Sequence, residues 1–259
     1  MKRTGSVILL ATAVLFITAA AGFPDVVKLG AHAGISIPDL RGSQTDVFTK
    51  NFTSRQGPYF GLTADIPLAR RLSLGVDLNY TSQGGLRKGL QPITMDLPSE
   101  LPIPPGTLIF ADFRNETILD YIEIPVLVRY DFGGKLRFFL EAGPYAGYLV
   151  RGKAVTEGVS ALYLDEAGTM PIIIPPATDP LMVDLGATTD VKDSLEPFNF
   201  GLAGGGGLRV PAGPGEVVLE ARFQLGLTTL QKHPETDGKT QTGAVIVSLG
   251  YMLPVCRHK

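Results

Sequence analysis

Apolar and polar residues alternate along most of this chain, and nowhere more regularly than between Leu119 and Val150. In the first half of that stretch Ile122, Ile124, Val126, Val128, Tyr130 and Phe132 share one face. Glu123, Arg129 and Asp131 share the other, with Pro125 and Leu127 between them. After the Phe132–Gly133–Gly134–Lys135 corner, Leu136, Phe138, Leu140, Ala142, Ala146, Tyr148 and Val150 stand against Arg137, Glu141, Gly143, Tyr145, Gly147 and Arg151. A period of two predicts strands, and a Gly-Gly corner between two such runs predicts a hairpin.

The same period recurs over Val26 to Ile37, where Pro38 is expected to end the strand, and over Tyr59 to Ile66 and Leu72 to Ser82. It returns over Phe198 to Val210, Glu216 to Leu230 and Thr240 to Leu253, which makes eight predicted strands. Their connections alternate in length. Pro67–Arg71, Phe132–Lys135 and Pro211–Gly215 are short, whereas Asp39–Pro58, Gly84–Glu116, Gly152–Pro197 and Gln231–Lys239 read as polar or proline-rich loops. Within the third of these, the Pro171-Ile-Ile-Ile-Pro-Pro run predicts a short strand or a loop packed over a barrel mouth.

The two faces decide the environment. One is an unbroken apolar band; the other mixes charges of both signs with glycine, a poor filling for a dry core but a good one for a narrow wet lumen. That arrangement predicts an all-β, eight-stranded antiparallel up-and-down transmembrane β-barrel, with a soluble lipocalin-like barrel as the alternative. Only a closed barrel lets strands cross hydrocarbon without unpaired edges. Long loops then face outward and tight turns face the periplasm, which puts Tyr130, Phe132, Phe138 and Tyr251 at the inner interface and Tyr80, Tyr148, Phe198 and Phe200 at the outer one.

The ends and the composition narrow the class further. Lys2 and Arg3, the apolar run Val7–Thr18 and Ala19–Ala21 read as a signal peptide over residues 1–21, leaving 22–259 as one barrel domain bound for the bacterial outer membrane. A net charge of -2 gives no reason to expect a nucleic-acid partner. The single cysteine, Cys256, excludes a disulfide within the chain and a cysteine-based metal site.

The segments LDYIEIPVLVRYDF, FFLEAGPYAGYL, LSLGVDLNYTSQGG and LEARFQLGLTTL resemble the strands of PorT-like outer-membrane β-barrel proteins. The resemblance spans the mature chain and is strongest from Leu119 to Lys153, where Asp-Tyr-x-Glu-x-Pro precedes Glu-Ala-Gly-Pro-Tyr. It implies an eight-stranded barrel acting as an accessory to protein secretion or envelope assembly. The chain departs from the pattern in its expanded Gly152–Pro197 segment and in running past Leu253 into Pro-Val-Cys-Arg-His-Lys.

The strongest polar constellation is Asp65, Asp77, Glu123, Arg129, Arg137, Glu141, Arg209, Glu220 and Arg222. Alternation points all nine into a lumen just wide enough for side chains to fill. The expectation is a structural network of paired charges sealing the barrel, with a narrow diffusion path as the alternative. Enzymatic chemistry has little to stand on. His32 shares a face with Ser36 but lies too far along the strand to touch it, and the other histidines, His233 and His258, offer no metal-ligand spacing. No catalytic, metal or cofactor site is expected. Expected partners are outer-membrane lipid and envelope or secretion-system proteins reached through the long outer loops, with the barrel itself monomeric.

Overall fold

A computed structural model describes residues 26–42, 50–93, 107–174, 176–234 and 238–257. The expected signal peptide lies outside the described residues. Among the described residues eleven strands follow one another: β1 (Val26–Gly42), β2 (Gly57–Ala69), β3 (Leu72–Pro92), β4 (Phe110–Gly133), β5 (Arg137–Glu157), β6 (Val159–Ala161), β7 (Met182–Asp184), β8 (Ala187–Asp190), β9 (Phe198–Ala212), β10 (Gly215–Gly226) and β11 (Thr240–Arg257). Eight of them form a ring in the order β4-β3-β2-β1-β11-β10-β9-β5, and β5 pairs back onto β4 to close it. All neighbours are antiparallel, and the seam between first and last strands runs from Val26↔Arg257 to Gly42↔Thr240. The fold is therefore an eight-stranded up-and-down barrel.

The ring is turned inside out relative to a soluble barrel. Leu62, Leu140 and Phe223 point outward and are 60%, 60% and 64% exposed, while Arg209 and Arg222 point inward and are 1% exposed. Aromatic pairs mark both ends of the apolar band, with Phe60 on Tyr80 and Tyr148 on Phe198 at the outer end and Phe132 on Phe138 at the inner end. Inward glycines make room for large lumen side chains. A Cβ on Gly75 would lie 2.4 Å from the Arg129 guanidinium carbon, and one on Gly207 would lie 2.7 Å from the Phe139 ring.

Several strands run further than their alternation predicts. Pro38 does not end β1, because the strand continues to Gly42 against β11. Pairing with β2 stops at Ser36↔Gly57, so the proline sits where only one side of the strand carries a ladder. The segment expected as the loop Gly84–Glu116 is mostly a hairpin extension, paired from Gly84↔Ile118 through Leu86↔Glu116 to Pro92↔Phe110. Its alternation is hidden because both faces are covered: Ser82, Gln83, Gly84 and Gly85 are all buried in succession. At the C-terminal end, β10 stops at Gly226, short of the expected Leu230, and β11 carries on past Leu253 to Arg257.

Beyond the ring, β3, β4 and β5 continue outward as an open sheet, and the Gly152–Pro197 segment folds onto it. β5 runs on to Glu157, β8 adds to its edge, and β6 pairs with β7. The result is a second small core of Ile109, Ala111, Phe113, Leu162, Ile172 and Leu185. The isoleucine run thus packs on the sheet extension, with Ile172 donating its N–H to Leu162 at 2.8 Å. A β-bulge at Asp120/Tyr121 separates barrel from extension. It shifts the phase of β5 after Leu149, which keeps the inward phase and is buried, so Arg151, expected on the lumen face, turns outward.

Candidate functional site

The lumen is filled in layers by residues that cross-strand register brings to the same height. In the middle, Arg129 on β4 sits opposite Glu141 on β5, and Gly205 on β9 lies between Glu141 and Arg222 of β10. Arg129 donates from Nε to Glu141 at 2.7 Å and from Nη2 to Asp77 at 3.2 Å. Arg222 is 2.8 Å from each of Asp77, Glu141 and Glu220, and donates to the Tyr59 hydroxyl at 3.2 Å. Thr63 completes the shell, its hydroxyl donating to Asp77 at 2.6 Å. Ion pairs so deeply withdrawn from water hold only while each charge keeps its partners.

Outward of this layer Glu123, fully buried, accepts hydrogen bonds from Thr81 at 2.9 Å, from Gln224 at 2.8 Å and from Gln83. Asn199 then bridges to Thr242 at 2.8 Å and accepts from Thr228 at 2.9 Å. The outer mouth is closed by an apolar lid of Leu40, Leu119, Tyr121, Leu149 and Leu230, backed by Phe52 and Leu195 from two loops. Toward the periplasm Arg209 pairs with Asp65 at 2.7 Å and lies over the Phe139 ring at 4.8 Å. Glu216 there takes Lys28 at 3.0 Å and also Arg137.

All nine residues singled out from the sequence thus face the lumen or its rim. Arg129, Asp77, Glu141, Glu220 and Arg222 form one cluster. Asp65, Arg209 and Arg137 belong to the periplasmic layer, and Glu123 stands apart among neutral donors. The nine-residue constellation left out Lys28, Asp131 and Glu216, which sit at strand ends, and the uncharged partners Tyr59, Gln83 and Gln224. Inward phase on their strands was the one available signal for these. A cavity of about 20 Å³ lies in the lumen between His32, Arg129, Arg209 and Glu220, room for a single water molecule.

His32 is committed to that lining. Its Nε2 lies 2.9 Å from Asn79 Oδ1 and its ring stacks on Tyr59, while Ser36 Oγ is buried with no hydrogen-bond partner among the described residues. The two do not form a nucleophile–base pair. Among the described residues no group of three or more histidine, cysteine, aspartate or glutamate side chains is placed to hold a metal ion.

Outside the membrane band the cap carries the other polar concentration. From Glu157 to Pro197 eight carboxylates face a single cation, Lys192. Val159, Met170 and Met182 stand exposed among them at 65%, 55% and 57%. Glu116 on the extension accepts from Arg114 at 2.9 Å and from Arg55 at 3.0 Å, and these contacts, Arg114 first, hold its carboxyl below the usual range. Lys50 ties the β1–β2 loop to Glu166 of the cap.

Residues 23–232 match the family model described as the outer membrane protein beta-barrel domain. A comparison with curated proteins gives no match. Among solved structures the chain is similar to Neisserial surface protein A, with 12% identity, TM-score 0.40 and coverage of 88% of this chain and 97% of that one. It is similar to Ail, the attachment invasion locus protein of Yersinia pestis, seen in complex with the heparin analogue sucrose octasulfate (11% identity, TM-score 0.38, 88% and 99% covered). It is also similar to OprG of Pseudomonas aeruginosa (8% identity, TM-score 0.38, 89% and 98% covered).

Proposed function

Because the chain belongs to the outer membrane protein beta-barrel domain family and so to the bacterial outer membrane, we propose that it works there as a sealed, non-enzymatic barrel presenting a folded outer cap to other envelope proteins. A PorT-like accessory role in protein secretion or envelope assembly fits this reading. The observation that carries it is the contrast between the two ends of the molecule. The lumen is occupied by buried side chains tied to one another by ion pairs and hydrogen bonds, while the expanded segment is built into a cap with its own core. The cap's excess of carboxylates around exposed Val159, Met170 and Met182 favours a partner surface that is basic with an apolar centre.

Photo-cross-linking in intact cells tests this. A photoreactive residue at Met182 or Thr188 is expected to capture an envelope or secretion protein, and the same residue at lipid-facing Leu249 is not. Purified protein in planar bilayers is expected to show no stable unitary conductance. Sustained conductance, or lipid or peptide hydrolysis that disappears in His32→Ala, would replace this reading with a pore or an enzyme.

A further inference from the structure

The periplasmic mouth holds a cleft of about 120 Å³, whose lining includes Lys28, Asp65, Arg70, Arg71, Asp131 and Arg209. The turn between β2 and β3 places Arg70 and Arg71 on its exposed rim, and the Arg209–Asp65 pair forms its floor, with side chains only 2% and 4% exposed. Four lining atoms are shielded from solvent yet have no hydrogen-bond partner among the described residues: Arg209 Nε, Asp65 Oδ1, Asp131 Oδ1 and Ser73 Oγ. Buried polar atoms almost always have a partner, so four orphans around one cleft mark a group still to be supplied.

Their chemistry is mixed. Arg209 Nε is a donor, the two aspartate oxygens are acceptors, and the Ser73 hydroxyl can serve as either. A simple anion would satisfy Arg209 and the Arg70–Arg71 rim, but it would bring negative charge against two unpaired carboxylate oxygens. A simple cation would leave Arg209 Nε orphaned and meet four arginines, Arg70, Arg71, Arg137 and Arg209, as well as Lys28. A group carrying both charges a few ångströms apart matches every orphan. We propose that this cleft binds a zwitterionic head group. Its carboxylate or phosphate oxygens lie toward Arg209 Nε and the Arg70–Arg71 turn, and its ammonium lies toward Asp65 and Asp131. Two sources offer this chemistry on the periplasmic side: a phosphoethanolamine lipid head group, and the ammonium–carboxylate end of an amino acid or short peptide.

The test is isothermal titration calorimetry on the full refolded chain in maltoside micelles and a zwitterion-free buffer. The probes are O-phosphoethanolamine, diglycine, inorganic phosphate and ethylammonium. At least one zwitterion is expected to bind saturably, one per chain, and at least tenfold tighter than phosphate or ethylammonium. A preference for phosphoethanolamine points to lipid, and one for diglycine points to a peptide end. Asp131→Asn and Arg71→Gln, both at the rim, are expected to weaken that binding at least fivefold while leaving the circular dichroism and the urea midpoint unchanged. Three results would each overturn the proposal: no saturable heat with either zwitterion, meaning water alone fills the cleft; phosphate binding as tightly as the zwitterions; or variants that bind like the parent.

Discussion

Replacing Arg222 by methionine keeps most of the side-chain volume and removes one charge from the middle of the lumen. Three carboxylates within 2.8 Å of the guanidinium, those of Asp77, Glu141 and Glu220, would be left facing Arg129 alone. At an effective dielectric constant near 20, two unit charges ~4 Å apart interact by about 4 kcal/mol. Breaking a buried pair from one side costs about 3–5 kcal/mol. With a urea slope of about 2 kcal/mol per molar, the unfolding midpoint falls by about 2 M. The assay is urea unfolding of the refolded barrel in micelles, followed by its β-sheet circular dichroism. Arg151→Met is the control, because Arg151 is 51% exposed and 3.5 Å from Asp120, an arrangement worth less than about 1 kcal/mol. Adding Glu220→Gln to Arg222→Met removes one stranded carboxylate and should recover part of the loss. If Arg222→Met costs no more than Arg151→Met, bulk water screens the cluster, and the filled-lumen argument fails.

Other perturbations probe separate parts of the molecule. Gly75→Ala places a methyl where the Arg129 guanidinium lies, and the overpacking should cost about 1–3 kcal/mol in the same urea assay, whereas Gly134→Ala, with open space around it, should cost nothing comparable. Ile172→Asp puts an unpaired charge into the cap core, so limited proteolysis should cut within residues 158–190 while the barrel stays intact. The Glu116 carboxyl titrates below its unfolded value, so its stabilisation of the extension is present above the ordinary carboxylate range, near pH ~4.3, and is lost as pH falls through the lower folded value. Amide exchange in residues 82–92, corrected for intrinsic rates, should accelerate across that acid window in the parent and show no such step in Glu116→Gln.

The barrel was legible because lipid and lumen impose opposite chemistries on adjacent positions. Ile122, Ile124 and Val126 could only face out if Glu123 faced in, and the structure has them so. Where that asymmetry ends, the signal ends too. Ser82–Gly85 are covered on both sides, and Gly84 and Gly89 adopt φ of +121° and +95°, so the extension reads as loop although it is paired throughout. The bulge at Asp120/Tyr121 leaves no mark in composition, and it alone reversed the facing of Arg151. Alternation named the charges of the lumen but not their partners. Arg222 meets Asp77 across 145 residues of sequence, and only ring closure and strand register bring them to one height.

The paired extension of β3 and β4 also has a mechanical consequence. From Tyr80 to Pro92, at ~3.3 Å per residue and a tilt of about 40°, it carries the chain roughly 30 Å above the outer aromatic girdle. That height is close to the thickness of the hydrocarbon itself. The β-ribbon is thus a stiff mast, and its last pair, Pro92 with Phe110, stands clear of the crowded sugars and head groups at the cell surface, at a height where a bulky visitor would dock without touching lipid.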